Sequence, residues 1–529
     1  MSDYKVLLVD GIDAAGVAVL RQSGSIDPVV EPRPDRAALM EMMPGIDGIV
    51  VRSATHVDRE LIHAAPRLKV IGRAGVGVDN VDIAAATERG VIVMNSPGGS
   101  TTTTAEHTVA MMFALARSIP QAYHLLREGT WEKSRFKGVE LEGKTLGVVG
   151  LGRIGSHVAH VARGIGMQVL AFDPFISTDA DLTGGFQLAE LDQIIAEADF
   201  ITVHTPLTER TRGLINAGAM ARMKDGVRLI NCARGGIINE EDLFHALQSG
   251  KVAGAAFDVF EQEPNPTSPL LGLENFIATP HLGASTVEAQ RKVSEDICRQ
   301  IADFLVRNAV RGALNFPQLE AGQLERYQHF VDLSNRLASF VGQLAEGRTE
   351  SVSIRYSGEI CDMNLGYLTS TILRRMLEPI LGEGVNLINA GHVARERGIR
   401  VEEIRVPAPE NFANLVEIEL ATDREAHRVS GTVFTDRQSR IVSLDGYSID
   451  VVPSGNMICL TNKDTPGVIG RIGTLLGENQ VNVAGMYVGR DEAGGKALAL
   501  LLVDESVTDD VIGKVRGLGN ILSAKAISI

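Results

Sequence analysis

From Lys5 to about Asn95, short apolar runs at Val6–Val9, Ile49–Val51, Val70–Ile71 and Val91–Met94 alternate with stretches of helical periodicity. This is the signature of an open α/β sheet. Proline and glycine cluster at Ser96-Pro97-Gly98-Gly99, which reads as a crossing between domains. Thr103, with Glu106 three residues on, has capping-box spacing ahead of the apolar segment Met111–Leu115, so the threonine run 101–104 is expected to start a helix. A second alternating series predicts strands at Thr145–Val149, Gln168–Asp173, Phe200–Thr205, Arg228–Cys232, Val252–Asp258 and Phe276–Thr279. Helical stretches separate most of them, as in a doubly wound parallel sheet. The amphipathic segment from Ser285 to about Asn308 could carry the chain back to the first domain, and from Pro317 to Pro453 strand and helix signals mix without a chemical motif. The last segment runs strand, helix, strand, strand, helix, strand around the turn Glu492-Ala493-Gly494-Gly495, a ferredoxin-like unit. The expected division is residues 1–98 with 285–316, 99–284, 317–453 and 454–529.

Composition narrows the possible partners. The 529 residues exceed what one core supports, and 44% hydrophobic with 22% charged residues is ordinary for globular domains. A net charge of -15 argues against nucleic acid, so any anionic substrate must meet local cations. The opening Met1–Val9 is too short for a signal peptide, and no stretch has the roughly 18 apolar residues of a membrane span. The cysteines at 232, 298, 361 and 459 form neither a metal-ligand spacing nor a dense disulfide framework. The expectation is a cytoplasmic protein with reduced thiols, no metal, and no membrane or nucleic-acid partner.

The strongest motif is Gly150-Leu151-Gly152-Arg153-Ile154-Gly155, which follows one predicted strand and opens a helix over 153–163. Gly150 and Gly152 allow a tight turn and close approach of backbone N–H groups to a pyrophosphate, and Gly155 lets helix and strand pack. Asp173 ends the next strand, 18 residues past Gly155, and suits the ribose hydroxyls of NAD; Pro174-Phe175-Ile176-Ser177 offers no arginine for a 2′-phosphate. NAD is therefore expected over NADP. A second cluster, Gly72, Gly75 and Gly77, has the wrong spacing for a dinucleotide loop but could offer N–H groups to a carboxylate.

In open α/β sheets ligands lie beyond the carboxyl ends of the strands. Three late strands lead into Arg234, Glu263 and His281. Oxidising a hydroxy acid needs a base, a cation for the carboxylate and a hydride acceptor. His281 suits the base, Arg234 offers a bidentate fork, and Glu263 could fix the imidazole tautomer. Singly, each has a plainer reading: an exposed arginine, a solvated glutamate, a histidine in a turn.

Together with the glycine turn, the segments Val203-His204-Thr205-Pro206, Asn231-Cys232-Ala233-Arg234-Gly235-Gly236, Phe257-Asp258-Val259-Phe260 with Glu263-Pro264, and Pro280-His281-Leu282-Gly283-Ala284-Ser285 resemble the D-isomer-specific 2-hydroxy-acid dehydrogenases. The resemblance implies Arg234, Glu263 and His281 as catalytic trio. It further implies cofactor contacts at Arg153, Ile154, Asp173, Thr205, Cys232, Ala233, Arg234, Asp258, His281, Gly283 and Ala284. Asp258 could equally cap a strand end, and Cys232 is read as a small loop residue rather than a nucleophile.

Within that family the chain most resembles long members acting on 3-phosphoglycerate at the start of serine synthesis, through Val51-Arg52-Ser53-Ala54, Arg73 to Asn80, His281 to Thr286, and two added C-terminal domains. This implies a Rossmann-type sheet inserted into a discontinuous flavodoxin-like substrate domain, an intervening α+β domain and a C-terminal ferredoxin-like ACT domain. Substrate contacts are expected at Arg52, Ser53, Arg73, Gly75, Asn80 and Arg234, with Lys133 and Arg135 reaching the phosphate of a neighbouring subunit. Asn462, Asp464 and Asn482 would bind L-serine across an interface of a homo-oligomer, a tetramer, although many relatives carry an aromatic residue or histidine where Asn462 stands. The alternatives are another 2-hydroxy acid (glycerate, lactate, 2-hydroxyglutarate) or a non-enzymatic NAD-sensing regulator.

Overall fold

Strands covered on both faces must be apolar throughout, and Gly48–Val51 and Ile92–Asn95 are buried at every position. In the computed structural model, which describes residues 3–176, 185–316, 323–406, 412–434 and 437–529, they belong to a five-stranded parallel sheet. Its order is Ile26–Val30, Tyr4–Leu8, Gly48–Val51, Val70–Arg73, Ile92–Asn95, which is flavodoxin-like. Ile26–Val30 carries Asp27 and Pro28 and lacks the apolar run that would predict it. Proline is admissible there because an edge strand need not donate every N–H. Ser177 and the expected boundary at Pro317 lie outside the described residues.

The second sheet is parallel throughout and has the order Phe276–Ala278, Val252–Phe257, Val227–Asn231, Phe200–Val203, Thr145–Val149, Gln168–Phe172, Gln187–Leu188. The strand order reverses between Thr145–Val149 and Phe200–Val203, and the crevice of a doubly wound sheet opens at such a reversal. Five strands stop short of the sequence expectation, so Asp173, His204, Cys232, Asp258 and Thr279 lie just past strand ends, in loops.

The helix Thr101–Arg117 corrects the capping-box reading: its N-cap is Ser100, without a side-chain capping bond, and Thr103 sits in the first turn. The Thr103 hydroxyl instead lies 3.3 Å from that of Thr286, the N-cap of Val287–Arg307. The helix Val287–Arg307 packs Val293, Ile297, Ile301 and Leu305 into one core with Val6, Leu8, Val70 and Ile92. A Cβ on Gly72 would meet Ile297 and Ile301, so that glycine serves packing.

Further on, a six-stranded mixed sheet in the order Arg400–Val406, Thr349–Gly358, Asn414–Thr422, Ala426–Val433, Ser439–Leu444, Tyr447–Val451 packs against helices Gln323–Leu344 and Leu365–Leu381. The last unit is an antiparallel sheet in the order Val483–Arg490, Lys496–Val503, Asn456–Lys463, Ile521–Ser528, with helices Val468–Glu478 and Asp509–Arg516 on one face. Met457, Cys459, Leu498, Leu500 and Ile527 of its other face join the core of the mixed sheet. No helix among the described residues is long and apolar enough to cross a membrane.

Candidate active site

The glycine turn follows Thr145–Val149 and opens the helix Arg153–Gly164. Gly150 takes φ +97, a conformation L side chains rarely adopt, and a Cβ on Gly155 would collide with the Gly150 carbonyl oxygen. Gly152, at φ -68, is the N-cap and faces open space. Its glycine is needed neither for backbone conformation nor for internal packing, which leaves room for a ligand at the helix N-terminus. Asp173 braces the turn: its Oδ2 accepts from the Leu151 N–H at 2.9 Å and its Oδ1 from Phe175 N–H at 3.0 Å. Beside the turn, Thr205 Oγ1 and His204 Nδ1 are buried without a hydrogen-bond partner. Such orphaned groups fit a site shaped for a polar cofactor. Burial lowers the His204 pKa to about 4 and keeps the ring neutral.

Across the cleft, a crevice of about 610 Å³ gathers Arg52, Ser53, Arg73, Gly75, Asp258, Glu263, His281 and Ala284 from both sheets. His281 adopts φ +55, and its N–H donates to the Asp258 carbonyl at 2.9 Å. Its Nδ1 lies 2.6 Å from Glu263 Oε2, while Glu263 Oε1 accepts from the Phe260 N–H at 3.0 Å. Burial opposes ionisation of Glu263, yet the hydrogen bonds from His281 and Phe260 bring its pKa below the ordinary value. The carboxylate therefore anchors Nδ1 and leaves Nε2 as the free ring nitrogen.

Asp258 is the organiser of this loop. Its carboxylate accepts from the Leu282 and Gly283 N–H groups, each at 2.7 Å, and from the Thr279 hydroxyl at 2.5 Å. Burial raises its pKa, but these bonds and one from His107 outweigh burial and hold it low. His107 Nε2, 3.0 Å from Thr279 Oγ1 and 3.3 Å from Asp258, is a residue no sequence motif singled out. Burial, followed by the charge of Asp258, pushes the Cys232 thiol up to about 12, which leaves it no nucleophilic thiolate.

Arg73 is half-buried, its Nε buried without a hydrogen-bond partner, and burial, then the charge of Arg234, lowers its pKa to about 10. Its guanidinium fills the space a Cβ on Gly75 would take, as the Arg234 guanidinium does at Gly77. Arg234 does not line the crevice; its Nε donates to Asp79 Oδ2 at 3.1 Å and its Nη1 to the Ala233 carbonyl at 2.7 Å. Asn80 stands behind the loop rather than in the crevice, its amide donating to the Arg52 and Thr55 carbonyls at 2.7 and 2.6 Å. Asp10, unremarked in the sequence, holds the same loop through the Arg52 N–H at 2.8 Å. Arg135 pairs with Glu274.

In the terminal unit Asn462 and Asp464 lie at one end of the sheet and Asn482 at the other, because Lys463 pairs with Lys496 while Val483 pairs with Val503. The Asn482 amide donates to Asp504 at 2.6 Å. Within one chain the three expected effector residues are not brought together.

A Rossmann turn facing a histidine–carboxylate pair and half-buried arginines fits an NAD-linked oxidoreductase of hydroxy acids. Residues 109–283 match the D-isomer specific 2-hydroxyacid dehydrogenase NAD binding domain, 326–445 the D-3-phosphoglycerate dehydrogenase intervening domain, and 458–520 the ACT domain. A D-3-phosphoglycerate dehydrogenase of Archaeoglobus fulgidus is 43% identical over 99% of this chain and 100% of its own length, and one of Bacillus subtilis is 40% identical over 99% and 100%. Among solved structures, the NAD-dependent formate dehydrogenase of Staphylococcus aureus in complex with NAD superposes with TM-score 0.52 at 29% identity, covering 57% of this chain and 96% of that one. The apo D-lactate dehydrogenase of Escherichia coli gives 0.53 at 27%, covering 59% and 99%. The chain belongs to the D-3-phosphoglycerate dehydrogenase family. It is an NAD-dependent oxidoreductase with a C-terminal ACT domain.

Proposed function

We propose that the chain oxidises D-3-phosphoglycerate to 3-phosphohydroxypyruvate, the first step of L-serine synthesis. The observation that carries this reading is the crevice in which the His281–Glu263 pair faces Arg52 and Arg73, two arginines without an ion pair among the described residues. The phosphate of such a substrate supplies the anion that these two cations require.

His281 Nε2 takes the C2 hydroxyl proton while Glu263 holds Nδ1 and stabilises the imidazolium. Gly150, Gly152, Arg153, Ile154 and Gly155 would hold NAD, together with Asp173, Thr205, Cys232, Ala233, Gly283 and Ala284, and when bound it would supply the hydride acceptor for C2. Arg234, which pairs with Asp79 in this structure, would turn from it into the crevice to grip the carboxylate; Arg52, Ser53, Arg73 and Gly75 meet the phosphate, with Asn80 bracing their loop. Asp258 positions the Leu282–Gly283 backbone beside His281.

The working form is a homo-oligomer, a tetramer in the cytoplasm, regulated by L-serine. The helix Ile119–Arg127 buries none of its residues in the chain, and Ile119, Tyr123 and Leu126 are each more than half exposed. An apolar stripe of this kind calls for a second copy. A serine site built from Asn462, Asp464 and Asn482 needs another, since one chain holds them at opposite ends of its sheet.

Oxidation of NADH is measured with phosphohydroxypyruvate, hydroxypyruvate and pyruvate, with and without L-serine. The expected result is fastest turnover on the phosphorylated acid, lowered by serine. Preference for an unphosphorylated acid overturns the substrate assignment, and silence on all three sinks the catalytic reading.

A further inference from the structure

A second crevice of about 660 Å³ opens at the other end of the first sheet. Strands Val70–Arg73 and Ile92–Asn95 run from it toward the catalytic crevice, with Lys69 and Ile92 lining the one and Arg73 the other. Four cations surround it: Lys69 and Arg89 ahead of those strands, Arg311 beyond the helix Val287–Arg307, and Arg374 on the helix Leu365–Leu381. Among the described residues no carboxylate lines it, in a chain of net charge -15.

Arg89 and Arg311 make no ion pair among the described residues; Lys69 lies 4.9 Å from the Tyr4 ring centroid, and Arg374 shares Glu378 of its own helix at 3.3 Å. The wall between the cations is apolar, and in it Phe316 and Tyr367 meet edge to face at 5.6 Å beside Phe304. The four cations are exposed at the rim, where they favour an anion entering the hollow, and the volume suits a small organic molecule. An inorganic anion would leave the aromatic wall in water, and a purely apolar ligand would leave the guanidinium groups unpaired.

We propose that this crevice binds an aromatic phosphate, with the phosphate on Arg89, Arg311 and Arg374 and the ring on Phe304, Phe316 and Tyr367. Such a ligand bridges the first domain to the intervening one. In the crevice they share a direct polar tie from the Asn386 amide to the Gly90 carbonyl at 2.8 Å. Ligand binding would therefore steady the sheet that carries Arg73 at its far end.

The test is calorimetric titration of the full chain saturated with NADH, so that the glycine turn is already filled. ATP is compared with inorganic tripolyphosphate, and phenyl phosphate with inorganic phosphate. The ring-bearing member of at least one pair is expected to bind tenfold more tightly or better, and whichever pair shows it separates a nucleotide from a simple aryl phosphate. Arg89→Ala and Arg311→Ala should each weaken that binding about tenfold, while NADH affinity and melting temperature stay put. Binding that ignores the ring in both pairs, persists undiminished in the double variant, or is absent at millimolar concentration overturns the proposal.

Discussion

At the scale of the residue, chemistry rests on which nitrogen of His281 is tied down. With Nδ1 anchored by Glu263 at 2.6 Å, Nε2 is the nitrogen left to accept the proton in the proposed mechanism. His281→Ala should cost about 10²- to 10⁴-fold in kcat while leaving NADH affinity within a few-fold, read by steady-state kinetics beside fluorescence titration. Retained kcat would remove the histidine from the mechanism. His204 makes a different prediction, about stability. Its folded pKa of about 4 lies below the ordinary 6.5 because burial disfavours the charged ring. A base whose pKa is depressed on folding binds its proton more readily when unfolded, so its contribution is complete above pH 6.5 and is lost as the pH falls toward 4. At pH 4.5 the loss is about 2 kcal/mol. Denaturant unfolding at pH 7 and 4.5 should show that His204→Gln loses less than the parent; an equal loss would rule out this residue as the cause.

At the scale of the element, the glycine turn separates packing from binding. A Cβ on Gly155 meets the Gly150 carbonyl, so Gly155→Ala should force the helix Arg153–Gly164 away from its strand and destabilise the fold by about 1–3 kcal/mol. Gly152→Ala meets nothing at an ordinary φ, so the melting temperature should hold while NAD affinity falls. If both variants lose affinity and stability in the same proportion, the turn has no division of labour. The glycine spacing was legible in sequence because a backbone approaching a phosphate tolerates few alternatives. The start of Thr101–Arg117 at the threonine run was legible as well, but its cap was not: the N-cap is Ser100, and the Thr103 hydroxyl lies against that of Thr286 instead. The edge strand Ile26–Val30 escaped notice because an edge tolerates the proline and the aspartate that a central strand excludes.

At the scale of the whole molecule, a serine site shared between two copies has a distinctive genetics. Asp464→Ala and Asn482→Ala should each abolish serine inhibition. Hybrid oligomers of the two variants should regain part of it, since one of each pair of sites then receives both native residues. Inhibition that never returns on mixing would place the site within a single chain. Tyr123→Glu with Leu126→Glu should shift the protein to a smaller species in sedimentation velocity, because those side chains stand in solvent in the isolated chain.

The sequence alone determined the alternating α/β pattern and the glycine turn, because each is a local requirement, a period or a turn; it also marked Asp173, Arg234, Glu263 and His281 as candidates just beyond apolar strands, of which the structure pairs Glu263 with His281 and sets Arg234 on Asp79. Only the tertiary structure could decide that Asp258 and His107 meet under the His281 loop, that Asp10 and Asn80 hold the Arg52 loop, that the Nε of Arg73 is buried without a hydrogen-bond partner, and that Asn482 stands apart from Asp464. Those are contacts between segments distant along the chain, or at opposite ends of one sheet. Their pairing is set by how the sheets pack, which no local spacing encodes.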